Sequence, residues 1–241
     1  MANSLLVFLH GFGEDARIWQ DFMPDAFSNH TTHYPNFAEW TDCSSIAAYA
    51  QKIVQSLPLD TQFIFIGHSM GGYVALEIAS QFPSISLGVV MLHSTCVADS
   101  SEKKNQREKT ASFIAEHGTE TFIRSFVGNL FTPTFVDEHR ETLNQLITRY
   151  QGLDAQGLVA ATLAMKERQD FQAFLQNTPI PFLFVLGDLD PLIPVGSILE
   201  ILAGKDQHKY VILEGVAHQG CYEAPEQTLQ AILAFINEFH V

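Results

Sequence analysis

A chain of 241 residues, 46% of them hydrophobic, is long enough for one large domain, or for a core carrying an insertion. Its 13 basic residues against 27 acidic ones give a net charge of −14, which argues against nucleic acid and against anionic membrane surfaces as partners. Three cysteines (Cys43, Cys96, Cys221) without metal spacing or a disulfide framework, and a start without Lys, Arg or a long apolar run, predict a cytoplasmic protein with no signal peptide or membrane span.

In chain order, Leu5–Leu9 is a continuous apolar run, as expected of a parallel strand covered on both faces. It ends in His10-Gly11-Phe12-Gly13. Glu14 or Asp15 can then cap a short helix with Ile18, Trp19 and Phe22 on one side. A weak strand near Thr31–Tyr34 follows. A helix starts at Ser44 or Ser45 and runs through Leu57, ended by Pro58. Gln62–Ile66 reads as a buried strand, Met70–Phe82 as a helix closed by Pro83, and Leu87–Leu92 as another strand. Strands alternating with helices in this way imply a parallel sheet.

At Thr95 the rhythm changes. Helices are expected from Asp99–Glu102 to about Glu116, from a Thr119 cap through Val127, from Thr134 to Tyr150 and from Asp154 to Glu167. Alternation resumes with a strand at Ile180–Leu186, a helix near Val195–Leu202, a strand at His208–Leu213 and a helix from Ala224 to Phe239. Leu229, Ile232, Leu233 and Ile236 are the expected inner face of that last helix. Residues 95–178 therefore read as a helical cap inserted into a core made of 1–94 and 179–241.

The centre of the chain is Gly67-His68-Ser69-Met70-Gly71, on the turn between a strand and a helix. Glycines two residues before and after the serine suit a turn too tight for side chains on its flanks. The turn lifts the Ser69 hydroxyl above the C-terminal edge of the sheet, and the Met70 N–H lies at a helix N-terminus facing the same space. Two more stretches end at that edge: Gly187-Asp188-Leu189-Asp190-Pro191 after one strand and Gly215-Val216-Ala217-His218 after the last. A serine, an acid and a histidine in the chain order Ser, Asp, His suit nucleophilic hydrolysis. Asp188 and Asp190 can each reach back to His218.

With these four motifs in order, the sequence resembles the α/β-hydrolase superfamily from Leu5 to the C-terminal helix. The resemblance implies a mostly parallel sheet with helices on both faces, here without the family's two leading strands. It implies Ser69 as nucleophile, His218 as base, Asp190 in preference to Asp188 as acid, and the N–H groups of Met70 and Phe12 as the oxyanion hole. The implied activity is a cofactor-free serine carboxylesterase acting on a small-molecule ester, a short or medium acyl ester or a lactone. Two other readings are a lyase or oxygenase using the same residues, and a ligand-binding protein that kept the fold.

Other residues read as ordinary. His10 is expected to hold its loop and His68 to be a bystander. His30 and His33 lack a third metal ligand. Phe113, Phe122, Phe126, Phe131 and Phe135 are mostly core of the helical insertion, with a minority facing the site.

Overall fold

The structure is a computed structural model that describes residues 5–22 and 26–239. Six parallel strands form one sheet in the order β2-β1-β3-β4-β5-β6: β1 (Leu5–Leu9), β2 (Thr31–His33), β3 (Phe63–His68), β4 (Ser86–Leu92), β5 (Phe182–Gly187) and β6 (Lys209–Leu213). No strand among the described residues pairs outside β2.

The apolar runs alternate between the two faces. Val7, Leu9, Phe63, Phe65, Val89, Met91 and Phe184 join one core with α2 (Ile46–Gln55), α3 (Met70–Gln81) and α9 (Val195–Leu202). Leu6, Phe8, Ile64, Ile66, Val90, Leu92 and Val185 join the other with α1 (Arg17–Phe22) and with α11 (Pro225–Asn237), which follows the short α10 (Gly220–Glu223). A sheet covered on both faces needs apolar residues at every position, which is why these strands read as unbroken runs.

Helix boundaries follow their caps. Ser45 Oγ accepts from the Ala48 N–H and starts α2. Asp15 accepts from the Arg17 N–H at α1, whereas Glu14 turns inward. On α11 the buried residues are Thr228, Ile232, Phe235 and Ile236; Leu229 and Leu233, expected on its inner face, are only half-buried.

Between β4 and β5 run α4 (Ser101–Phe126), α5 (Pro133–Glu138), α6 (Arg140–Tyr150), α7 (Ala155–Lys166) and α8 (Gln172–Asn177). Ser100 caps α4 through the Lys103 N–H. Gly118, at φ 78°, kinks α4 in the middle. Thr119 is no cap: its hydroxyl is buried without a hydrogen-bond partner among the described residues. The single helix expected over Thr134–Tyr150 is two helices, because His139 leaves the helical region at ψ 42°. These helices share their own core, including Ile114, Phe122, Ile123, Leu143, Leu146 and Leu158. No helix among the described residues is long and apolar enough to cross a membrane.

Strand order reverses direction between β1 and β3, since β2 lies on one side of β1 and β3 on the other. In an open parallel sheet, the crevice at such a switch point, outside the C-terminal strand ends, is where ligands bind. Phe12 follows β1 and Ser69 follows β3, so both stand at this crevice.

Candidate active site

Ser69 sits between β3 and α3 at φ 50°, ψ −112°, a backbone conformation costly for a residue with a Cβ. Surrounding bonds hold it there. Its N–H donates to the Leu92 carbonyl at 2.9 Å, and its own carbonyl accepts from the Gly72 N–H at 3.0 Å and Ser94 Oγ at 2.8 Å. A Cβ on Gly67 would overlap the backbone of Gly71, and one on Gly71 would overlap the Leu9 carbonyl. The turn closes only because both are glycine. Met70 is the first residue of α3, so its N–H has no intrahelical partner.

His218 Nε2 lies 2.9 Å from Ser69 Oγ, and His218 Nδ1 lies 2.7 Å from Asp190 Oδ2. A carboxylate only accepts, so Nδ1 carries the ring proton and Nε2 is left to accept the serine O–H. The His218 N–H donates to the Leu130 carbonyl at 3.0 Å, which ties this loop to the helical segment. Asp190 is buried, and its Oδ1 accepts from the N–H groups of Leu192 at 2.8 Å and Ile193 at 3.1 Å. Burial alone would raise its pKa; hydrogen bonds and charge from His218 and His93 outweigh this and hold the carboxyl well below the usual carboxylate range.

Asp188 does something else. It is exposed, and its Oδ1 accepts from the N–H groups of Gly215 at 2.7 Å and Val216 at 3.3 Å. It fastens the loop before His218 to the end of β5 and makes no bond to the imidazole.

Sequence alone does not assign three polar residues behind this chain to the site: His93 is not singled out, Glu14 reads as a helix cap and His68 as a bystander. His93, at the end of β4, is fully buried at φ 48°. Its Nε2 accepts the Gly220 N–H at 3.1 Å, so Nδ1 holds the proton and faces Asp190 Oδ2 at 3.5 Å. Burial lowers its pKa to about 4, which keeps it neutral.

Glu14 and His68 form a buried pair. Glu14 Oε1 accepts from the Gly11 N–H at 2.6 Å and from His68 Nδ1 at 2.5 Å, and its Oε2 accepts from Gln219 Nε2 at 3.4 Å. His68 Nε2 donates to the His218 carbonyl at 3.0 Å. Both Glu14 oxygens face donors and both His68 nitrogens face acceptors, so the pair is carboxylate and imidazolium. Burial opposes both charges; their mutual attraction and hydrogen bonds prevail, lowering the Glu14 pKa and raising that of His68. His68 is therefore no bystander: it links the loop of Phe12, the Ser69 turn and the His218 loop. One signal was in the sequence: His93 directly follows an apolar strand at the same edge as Ser69.

His10 is neutral. Its Nε2 accepts the Phe37 N–H at 3.1 Å, its Nδ1 donates to the Gly11 carbonyl at 2.8 Å, and its ring stacks on Phe37. Among the described residues, His93, Asp190 and His218 are the one grouping close enough to hold a metal ion, and within it His218 Nδ1 and Asp190 Oδ2 are already bonded to each other. His30 and His33 lie outside it.

Ser69 and His218 open on a cavity of about 290 Å³. Phe12, Phe122, Phe126, Leu130, Met165 and Ile193 give it an apolar wall. Phe12 packs against Phe122 and Phe126 with ring centroids 5.7 and 5.6 Å apart. Of the other phenylalanines in the helical segment, Phe131 and Phe135 stack on each other and Phe113 is exposed.

Residues 6–231 match the model of the alpha/beta hydrolase family. A pimeloyl-[acyl-carrier protein] methyl ester esterase of Yersinia pseudotuberculosis serotype O:1b is 27% identical over 245 residues, covering 97% of this chain and 93% of the relative. Among solved structures, a thermophilic esterase from Thermogutta terrifontis superposes with a TM-score of 0.90 at 22% identity, covering 99% of this chain and 91% of that one. An enol-lactonase from Burkholderia xenovorans LB400 superposes with a TM-score of 0.85 at 16% identity, covering 98% and 92%.

Proposed function

The chain belongs to the alpha/beta hydrolase family, and from that premise we propose that it hydrolyses a carboxylic ester through an acyl-enzyme formed on Ser69. The observation that carries this reading is the unbroken hydrogen-bond chain from Ser69 through His218 to Asp190, open on a largely apolar cavity.

Ser69 Oγ attacks the ester carbonyl while His218 Nε2 takes its proton. The Nδ1–H bond to Asp190 stabilises the imidazolium that forms. The N–H groups of Met70 and Phe12 receive the carbonyl oxygen as it becomes an oxyanion, each such donor contributing roughly 2.7–4 kcal/mol. Collapse of the tetrahedral intermediate breaks the C–O bond, and the alkoxide leaves with the proton held on Nε2. A water then gives a proton to His218, attacks the acyl carbon and restores Ser69. His93 and the Glu14–His68 pair hold these groups in place.

Residues 95–178 act as the cap in this reading. They roof Ser69 and choose the acyl part through Phe122, Phe126 and Met165. The substrate class is a short or medium acyl ester or lactone. The Yersinia relative's named substrate is a methyl ester of an acyl chain, and a small alcohol leaving group on an acyl chain lying along the apolar wall suits this cavity. The relatives described above are esterases and an enol-lactonase; none speaks for a lyase, an oxygenase or a mere binder.

The test is Ser69→Ala with p-nitrophenyl acetate and methyl esters as substrates. Activity should fall below about a hundredth of wild type while the circular dichroism spectrum stays the same, since losing such a nucleophile costs several orders of magnitude. A folded variant retaining more than that would overturn the role of Ser69.

A further inference from the structure

The part of the cavity wall formed by the first half of α4, before the kink at Gly118, differs in chemistry from the rest. Lys103, Gln106, Arg107 and Thr110 line it. Their offsets of three, four and seven residues put them on one face of the helix. No Asp or Glu is in the cavity lining among the described residues, although the chain holds 27 acidic residues against 13 basic.

The positive character survives local pairing. Asp99, buried and outside the cavity lining, is shared between Arg107 Nε at 3.0 Å and an Arg168 Nη at 2.8 Å. One carboxylate thus faces two guanidinium groups. Arg107 uses only Nε on it, and its Nη groups make no hydrogen bond among the described residues. Lys103 has no ion pair among them; its ammonium donates to the Leu192 carbonyl at 3.3 Å, at the cavity rim. Lys103 is exposed overall, and partial burial of its ammonium lowers the Lys103 pKa. A wholly hydrocarbon acyl chain would desolvate these cations further and return nothing, a net cost. An oxyanion would meet an ammonium and the free edge of a guanidinium, the donor pair that makes strong charge-assisted bonds.

We infer that this site takes an ester with a second, anionic end, a carboxylate or phosphate at the far end of a short apolar spacer, held by Lys103 and Arg107. The spacer lies along Phe122, Phe126 and Met165, and the ester end reaches Ser69. The inference rests on the esterase reading only for which end of the ligand reacts.

Binding tests it without turnover. Calorimetry on Ser69→Ala compares the monomethyl esters of succinate through suberate with their dimethyl esters, and with methyl esters of matched length ending in phosphate. At one length or more, an anionic ligand should bind about 10- to 100-fold more tightly than its neutral partner, the usual range for a hydrogen bond to a charged group. That ratio should shrink in ~1 M salt. It should also shrink when Lys103→Gln is added; Lys103 is exposed and has no ion pair among the described residues, so the variant should fold. The carboxylate and phosphate arms show which anion the site prefers, and either one exceeding the neutral ligand supports the inference. Neutral esters binding as tightly at every length, or a ratio untouched by both Lys103→Gln and Arg107→Gln, would overturn it. If the half-ester binds tightly but wild-type protein does not cleave it, the esterase reading fails and the anion subsite stands.

Discussion

Replacing Asp190 by asparagine separates the two aspartates at the end of β5. Asp190 faces donors on both oxygens: His218 Nδ1 on Oδ2, and the N–H groups of Leu192 and Ile193 on Oδ1. Asparagine has one acceptor and one donor end. If its oxygen stays on the two backbone N–H groups, its NH₂ faces His218 Nδ1. The imidazole must then carry its proton on Nε2, where it cannot accept one from Ser69. The opposite rotamer restores the productive tautomer but sets NH₂ against two backbone donors. Leaving both unpaired costs about 2–6 kcal/mol at 1–3 kcal/mol each. The productive rotamer is then a minority by a factor of roughly 30 to 20,000, and kcat should fall within that range. Asp188→Asn should lower kcat less than about twofold, because the asparagine oxygen can still accept from Gly215 and Val216. Steady-state hydrolysis of p-nitrophenyl acetate by both variants at one pH decides it. A loss under tenfold for Asp190→Asn, or a larger loss for Asp188→Asn, would refute the reasoning.

The buried Glu14–His68 pair predicts a pH-dependent stability. His68 has its pKa raised on folding, so its contribution is complete below the unfolded histidine value of about 6.5 and is lost as pH rises through the folded value. Glu14 has its pKa lowered, so its contribution is present above about 4.3 and lost as pH falls. The Tm difference between wild type and Glu14→Gln should therefore peak between those two values and narrow toward alkaline pH; a difference that grows above neutrality contradicts the ion pair. Phe122→Ala should move the preferred acyl length, with relative kcat/KM changing by roughly 10–200-fold per methylene of fit, and a flat profile would remove Phe122 from the acyl wall. Ser69→Gly, freed from the strained φ of 50°, should be more stable than Ser69→Ala by about 1 kcal/mol in urea unfolding. Equal stability would mean that the turn stores no strain.

What could be read from the sequence was local. The apolar runs of β1, β3, β4 and β5 show because both faces of the sheet are covered. The Gly-x-Ser-x-Gly turn shows because backbone crowding at Gly67 and Gly71 permits no other residue. The chain order of Ser69, Asp190 and His218 shows because each lies just after a strand. What stayed hidden depends on contacts across the chain. Glu14 looked like a helix cap, yet its partner His68 is 54 residues away, and His68 in turn bonds to the carbonyl of a residue 150 positions on. The break at His139 has no glycine or proline at the break itself to announce it; the start of α5 is instead set by Thr132 accepting from the Phe135 N–H, followed by Pro133. The polar stripe on α4 has ordinary surface composition, and only its placement on the cavity gives it meaning.

Covalent catalysis by Ser69 is the central claim, and trapping the acyl-enzyme tests it most directly. Wild-type protein is mixed with excess p-nitrophenyl acetate, quenched in acid within the first turnover, digested and analysed by mass spectrometry. The account predicts one acetylated peptide, with the acetyl group on Ser69, and none from Ser69→Ala. Acetylation on another residue, or turnover by wild type with no acetyl adduct at any quench time, would contradict it.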